Sequence, residues 1–501
     1  MNRIIVFLIG LLIPASKPCL PAWPTILPSD LPLCLQAIPV LEPKIKFVNF
    51  FLRKPEIADV IKLIDQTKPL LPHLDYFLGN NQKTTYLILL QNNYEMRANG
   101  GFFGSYAVAN VDKGEVAIRF QDIYVPDGAL PGHVEPPSPI QTAFKQGWFK
   151  LRDSDWEPDF TKAAGTIRWF FEKGNEVNPD LLITLNLTTI EKMIKILGGV
   201  AVPEYDLTLT SDNLYTLLQN QAEMRAFQGS TQKKDVISAA GKAVTKKLSL
   251  LEFDQYVQLV EILLDQLNHG NLLINSQSES VQKVLEEKGW AGKISVPACG
   301  TNCISDTVML VETNMGANKA NCCIERKTLH TITKGETEIT HLINLTFINK
   351  SVLENPAPPR FYGGNYISYL RFYLPENAIH IRLTAQPTLP KTLLQYPAPF
   401  DGISQKTFDL SDNYGLREVG FFHTTQAGTS SQIQLSYDLP LDEVSPGTVA
   451  PLSGDSSQVK PTYQLNLLKQ HGMESSPQDI SLFGKSYSTD LTSDHTEVSP
   501  L

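Results

Sequence analysis

The sequence predicts an α/β layered domain over residues 80–325 followed by an all-β sandwich-like domain over 326–501. Three observations predict it. Between residues 80 and 325, dense apolar runs of strand length alternate with segments whose apolar residues recur every three or four positions. Near Arg326 the helical period disappears. Beyond it, short strand-like runs follow one another, separated by Pro, Gly and Asn. A length of 501 residues allows roughly two to four domains. With 42% apolar and 9% aromatic residues, the chain can build cores and is not disordered, and 31 Gly with 34 Pro exclude a collagen-like chain.

The elements follow in order. Ile57, Val60, Ile61 and Ile64 make an apolar helical stripe within a Pro-rich and helical lead-in, residues 23–79. TTYLILL at 84–90 is a strand for the centre of a sheet. The glycines of 100–104 make a loop into a hairpin, 105–111 and 115–120, turned at Lys113-Gly114. A helix over 160–173 and a buried strand over 181–185 come next. Thr188 with Glu191 reads as a capping box that opens a helix closed by Gly198-Gly199. Residues 200–202 make a short strand, and helices are expected over 233–248, 251–267 and 279–288. Strands are expected over 328–333, 339–349, 368–374, 378–385, 417–423, 432–437 and 463–469, with 445–460 a polar loop. Residues 475–501 read as a final hairpin or a frayed tail.

The net charge of −9 gives no broad surface for nucleic acid, which is excluded as a partner, although a local basic pocket is not. Arg3 precedes the apolar run 4–13 and then Pro14-Ala15-Ser16, the layout of a secretory signal; residues 1–22 are read as a signal peptide or short anchor. Ten helical residues span roughly 15 Å, half a hydrocarbon core, which favours export over a stable span. The six cysteines, Cys19, Cys34, Cys299, Cys303, Cys322 and Cys323, fit disulfides in an oxidising compartment. The last four could also offer thiolates to zinc, although adjacent cysteines on a strand point to opposite faces.

Three constellations could carry chemistry. Asn92, Asn93, Arg97 and Asn99 surround Gly100-Gly101-Phe102-Phe103-Gly104, where backbone N–H groups can converge on an anion and Arg97 can add a bidentate charge; the alternative is a tight turn with polar caps. Neither a P-loop nor a dinucleotide fingerprint is present. Arg119, Asp122 and Asp127 lie around a strand end, where Asp122 could serve as a general base or hold a divalent cation, or form a turn. Asp153, Asp155, Glu157 and Asp159 place four carboxylates in seven residues, hard ligands for Mg²⁺ or Ca²⁺, or else caps for the next helix with Trp156 packed beneath. No His-x₃-His pair or Gly-x-Ser-x-Gly elbow occurs.

The ordered set YLILLQNNYEMRANGGFFGSY, QDIYVPDG, LRDSDWEPDF, NPDLLITLNLTTIEKMIKILGGVAVPEY, GWAG and NMGANKANCCIERK resembles the bacterial envelope family defined by the domain of unknown function 4012, over about residues 45–485. NYISYLRFYLP, LSYDLP and YQLNLLKQHG resemble that family's β-rich C-terminal half. A more distant likeness, carried by residues 178–205, is to the LytR-CpsA-Psr proteins, which transfer polyprenyl-pyrophosphate-linked glycopolymers to the cell wall. That likeness implies a LytR-CpsA-Psr-like α/β fold. It places Arg97 where a pyrophosphate-binding Arg lies and Asp122 where a Pro-Arg-Asp aspartate lies. The Arg of that motif is Gln121 here, and a later Arg pair is Gln219 and Gln221, leaving Arg225, Lys233 and Lys234 as stand-ins.

Two readings follow. The first is an exported binding or scaffold protein of the cell envelope. The second is a phosphotransferase with Asp122 and Arg97 as catalytic residues, phosphate held by Arg97, Arg119, Gly100, Gly101 and Arg225, and a divalent cation such as Mg²⁺ at Asp122, Asp153 and Asp155. Enzymatic activity stays open between them. Expected partners are a polyprenyl-phosphate lipid or a cell-wall glycan at a membrane surface, and the expected location is extracytoplasmic, secreted or tethered to the outer face of the cytoplasmic membrane.

Overall fold

The computed structural model describes residues 55–144, 146–218, 232–300, 302–352, 363–385, 408–441 and 461–501. The signal and most of the lead-in, Cys19, Cys34, Gln219, Gln221, Arg225 and the loop 445–460 lie outside the described residues. No helix among the described residues is long and apolar enough to cross a membrane.

The N-terminal unit is built on β1 (Thr84–Asn92), β2 (Phe102–Asp112), β3 (Glu115–Asp122) and β4 (Leu181–Asn186), on a small pair β5 (Val200–Val202) and β6 (Leu207–Leu209), and on β7 (Leu272–Ser276). The main sheet runs β3-β2-β1-β4-β7, and β1 and β4 are its one parallel pair. One face packs Leu87, Leu89, Phe103, Tyr106 and Val108 against Phe160, Ala163, Ile167, Phe170 and Phe171 of the helix Phe160–Lys173. That helix starts where Asp159 accepts from Thr161 N and Lys162 N, a side-chain N-cap. The other face meets Leu264, Leu267, Val281, Leu285 and Trp290 from the helices Phe253–Asn268 and Glu279–Glu287 and the loop after them, together with Leu63 of the helix Pro55–Thr67. Helices on both faces of one sheet make this an α/β unit.

The helix Leu187–Leu197 is capped by Asn186, whose Oδ1 accepts from Thr189 N at 2.9 Å, and not by the expected Thr188. Strand β4 runs straight into the helix, so its last residue becomes the cap. Gly198 closes the helix at φ +66°, a conformation that glycine adopts without steric cost.

The second unit contains β8 (Cys303–Asn314), β9 (Ile324–Lys334), β10 (Glu338–Asn349), β11 (Tyr366–Pro375), β12 (Ile379–Ala385), β13 (Asp409–Asn413), β14 (Leu416–Thr425), β15 (Ser430–Pro440), β16 (Thr462–Leu468), β17 (Gln478–Leu482), β18 (Lys485–Thr489) and β19 (His495–Pro500). They form two six-stranded sheets, β12-β15-β10-β9-β17-β18 and β13-β14-β11-β8-β16-β19. Ile339, Ile343, Leu345 and Phe347 from one sheet and Tyr366, Leu370, Phe372 and Leu374 from the other fill the space between them. In β10 buried and less buried residues alternate, as in a strand with one wet face, whereas all ten residues of β11 are buried. The reason is that the outer face of the β11 sheet is covered too. There Ile367, Tyr369 and Phe422 pack with Ile140, and Tyr373 packs with Ala98 and Ile294.

The expected boundary at residue 326 needs correction. Strand β8 pairs with β11 and β16, so the second unit starts at about Cys303. Its Val308-Met309-Leu310-Val311 run is apolar on both faces and therefore reads like a buried α/β strand. The tail resolves into the β17–β18 hairpin and the edge strand β19. The four later cysteines form the Cys299–Cys303 and Cys322–Cys323 disulfides, which removes the four-thiolate zinc reading.

Candidate functional site at the seam between the two units

After β1 the chain makes a buried excursion, residues 93–101, before returning as β2. After β8 a second excursion, residues 315–323, leads into β9. The two interlock through the backbone. Asn314 N donates to Met96 O at 2.9 Å and Asn321 N to Tyr94 O at 3.1 Å, while Met96 N donates to Asn321 Oδ1 at 3.1 Å. Inside this clasp lies a group of charges. Arg97 Nη1 donates to Asn314 O at 2.7 Å and Nη2 to Glu95 Oε1 at 3.2 Å; Asp153 Oδ1 is 3.9 Å from Nη2. Lys319 Nζ reaches the other Glu95 oxygen at 2.6 Å. Arg97 is only 4% exposed, with its guanidinium beside the Phe102 ring.

Burial alone would raise the Glu95 carboxyl, but Lys319 and Arg97 outweigh it and hold it below the usual carboxylate range. Asp153 moves the other way, because burial exceeds the pull of Arg97 and Arg152. Asp155 is buried with neither carboxyl oxygen hydrogen-bonded to another residue, and burial pushes it up to about 8 against the opposing Arg97 charge. Burial thus favours its protonated, neutral form.

A second polar layer adjoins this one at the carboxyl ends of the parallel strands, where Gln91 of β1 lies opposite Asn186 of β4. Asn186 Oδ1 also accepts from Thr189 Oγ1 at 2.7 Å, and Thr189 Oγ1 leads on to Gln266 Oε1 at 3.3 Å and from there to Asn271. Open α/β sheets place their ligands at such strand ends. Here residues 469–474, just past β16, occupy the position. Lys469 Nζ donates to His269 O at 2.8 Å and to Asn271 Oδ1 at 3.2 Å. Gln470 Nε2 donates to Arg97 O at 3.0 Å and to Glu312 O at 2.8 Å, while its Oε1 accepts from Glu312 N at 2.8 Å. Glu474 accepts from Thr188 Oγ1 at 2.8 Å and pairs with Lys192 at 3.1 Å. A Cβ on Gly472 would lie 2.1 Å from Gly100 Cα, so the two backbones touch.

The structure brings Arg97, Asp153 and Asp155 together, but as an internal charge group. Gly100 and Gly101 are buried: a Cβ at Gly100 would meet Gln91 Oε1 at 2.6 Å and one at Gly101 would meet Asn92 O at 2.4 Å. Both positions therefore call for glycine on packing grounds, and Gly100 N already donates to Arg97 O at 3.2 Å. Arg97, expected to grip phosphate, is spent on Asn314 and Glu95. Arg119 instead pairs with Glu176, which also accepts from Tyr106 Oη at 2.6 Å. Asp122, expected as a base or metal ligand, accepts from Tyr124 N at 2.9 Å and so forms a turn. Asp122, Asp153 and Asp155 do not form a convergent ligand group among the described residues. Glu95, Lys319, Asn314, Asn321, Lys469, Gln470 and Gly472 were missing from the expected set. The NMGANKAN and KQHG strings that hold most of them were visible only as parts of the family resemblance.

Residues 81–233 match the family model described as protein of unknown function (DUF4012), a shorter stretch than the expected 45–485. No curated protein matches the chain. Similar solved structures include a Legionella pneumophila protein proposed to bind nutrients (9% identity, 36% of this chain, 55% of that chain, TM-score 0.21). Others are the Lin1025 protein of Listeria innocua (10%, 42% and 79%, TM-score 0.24) and a transcriptional regulator from Enterococcus faecalis (10%, 42% and 72%, TM-score 0.24). The chain thus spans about half the length of the first of these. At such scores none carries an argument, and the finer LytR-CpsA-Psr likeness gains no support.

Proposed function

We propose that this chain is an extracytoplasmic protein of the cell envelope with a binding or scaffold role, in which the α/β unit is a rigid base for the β-sandwich. One observation carries the reading: residues 469–474 fill the strand-end position where an α/β sheet would bind a ligand, with Lys469 and Gln470 hydrogen-bonded into it. A pyrophosphate pocket needs several fixed cations facing an open site. Arg97 faces inward, and Arg119 is spent on Glu176. The two disulfides support an oxidising compartment.

The test is incubation of the mature chain with polyprenyl pyrophosphate in detergent and, separately, with isolated cell-wall glycan. The expected result is no glycan transfer, no lipid binding that depends on Arg97, and retention of the protein by envelope fractions. Stoichiometric lipid binding that is lost in a folded Arg97→Ala variant would overturn the reading in favour of the phosphotransferase. Recovery of the protein from the cytoplasm with reduced cysteines would overturn the location.

A further inference from the structure

We propose that Glu338, His380 and Asp438 form a Zn²⁺ site on the solvent face of the sandwich. Three neighbouring strands, β12, β15 and β10, each supply one ligand at the same end of the sheet. Register sets the two carboxylates together. Glu338 lies opposite Pro440 and Thr340 opposite Asp438, so Glu338 and Asp438 are diagonal neighbours on one face. That face is the outer one, since the alternate residues Ile339, His341, Tyr437 and Leu439 point into the core.

His380 joins them because β12 is irregular. Ile379 pairs with Asp438 and Arg382 with Ser436, so three steps along β12 match two along β15. The extra residue is a bulge, a device that re-aims a side chain. With His380 at φ +52°, its Nδ1 comes 3.0 Å from Asp438 Oδ2, and the donor atoms of all three residues lie within 4.8 Å of one another. Zinc bonds of about 2.0–2.2 Å at tetrahedral angles separate two ligand atoms by roughly 3.3 Å, so little movement is needed. Three protein ligands leave a fourth position for water or a ligand group.

The donor set decides the metal. Mg²⁺ and Ca²⁺ prefer oxygen alone, whereas an imidazole beside two carboxylates suits Zn²⁺.

The experiment is calorimetric titration of the untagged mature chain with ZnCl₂, with MgCl₂ as a parallel titrant. One equivalent of Zn²⁺ is expected, with no Mg²⁺ binding. His380→Ala and Asp438→Asn should each weaken Zn²⁺ at least tenfold at unchanged circular dichroism. Should either variant fold poorly, Glu338→Gln supplies the same comparison, and Co²⁺ substitution reads the site directly through its visible absorption. Absence of Zn²⁺ binding, or full affinity in the folded variants, overturns the proposal.

Discussion

Arg97 Nη1 donates to the backbone carbonyl of Asn314 at 2.7 Å, and Asn314 N in turn donates to the carbonyl of Met96 at 2.9 Å, so two residues 217 apart in sequence hold the two units together. The arginine suited by its fork to phosphate is used here on a carbonyl and a carboxylate inside the protein. Arg97→Ala would leave Glu95 with Lys319 alone and take the guanidinium away from the Asn314 carbonyl. Breaking a buried pair in this way costs about 3–5 kcal/mol. Arg97→Lys should recover little, because an ammonium lacks the planar fork. Urea unfolding checks both, and an Arg97→Ala midpoint equal to wild type would show that the clasp does not hold the seam.

Gly472 sets the closeness of the seam. At φ +74° and with a Cβ position 2.1 Å from Gly100 Cα, Gly472→Ala is both strained and overpacked. The expected loss is about 2–5 kcal/mol, with faster proteolysis between the units. Gly165→Ala is the contrasting case. Gly165 sits within the helix Phe160–Lys173 with nothing within 4 Å of a built Cβ, so alanine should stabilise by about 0.5–1 kcal/mol. Thermal melts of the two variants should move in opposite directions.

The strands β1, β2 and β10 and the helix Phe160–Lys173 were legible because each carries its own period or a dense apolar run bounded by turn residues. Strand β8 was assigned to the wrong unit because burial on both faces erases the alternation that marks a sandwich strand. The short edge strand β13 has four of its five residues exposed and carries no core signal. The internal pairing of Arg97 was hidden for a different reason. Arg97, Gly100 and Gly101 have the composition of an anion loop, and local sequence cannot show that a segment near residue 470 closes over it. Only the long-range contacts to Asn314 and Gly472 reveal that. The upward shift of Asp155 escaped notice because its burial is a property of packing.

Asp155 gives the stability curve a falling limb. Its folded pKa is raised to about 8 by burial, above the unfolded value of 3.8. Between those values the native state keeps a proton that the unfolded state has lost. Stability therefore falls as pH rises from about 4 to 8, with a slope approaching about 1.4 kcal/mol per pH unit for this one group. Asp155→Asn is neutral throughout and should remove the limb. The difference in unfolding free energy between variant and wild type should shift in favour of the variant across this window. A difference that stays constant from pH 4 to 8 would show that Asp155 ionises normally.

Lys469 acts with the opposite sign and in a separate window. Burial lowers its ammonium from 10.5 to about 8, against the favourable charges of Glu474 and Asp494 and with Lys192 adding to the fall. Between about 8 and 10.5 the unfolded chain holds a proton that the native state has released, so stability rises with pH there. Lys469→Met removes this rising limb. It also leaves His269 O, Asn271 Oδ1 and Gln470 O without the donor they share, so it should be less stable than wild type already at pH 7, by about 1–3 kcal/mol. Above pH 8 wild type gains and the variant does not, so the gap should widen toward pH 10. Paired urea titrations at pH 7, 8.5 and 10 separate this limb from tyrosine ionisation, which both proteins share. A gap that narrows over that range would mean that Lys469 stays charged in the seam and that the ammonium, with its three acceptors, is the form the fold selects.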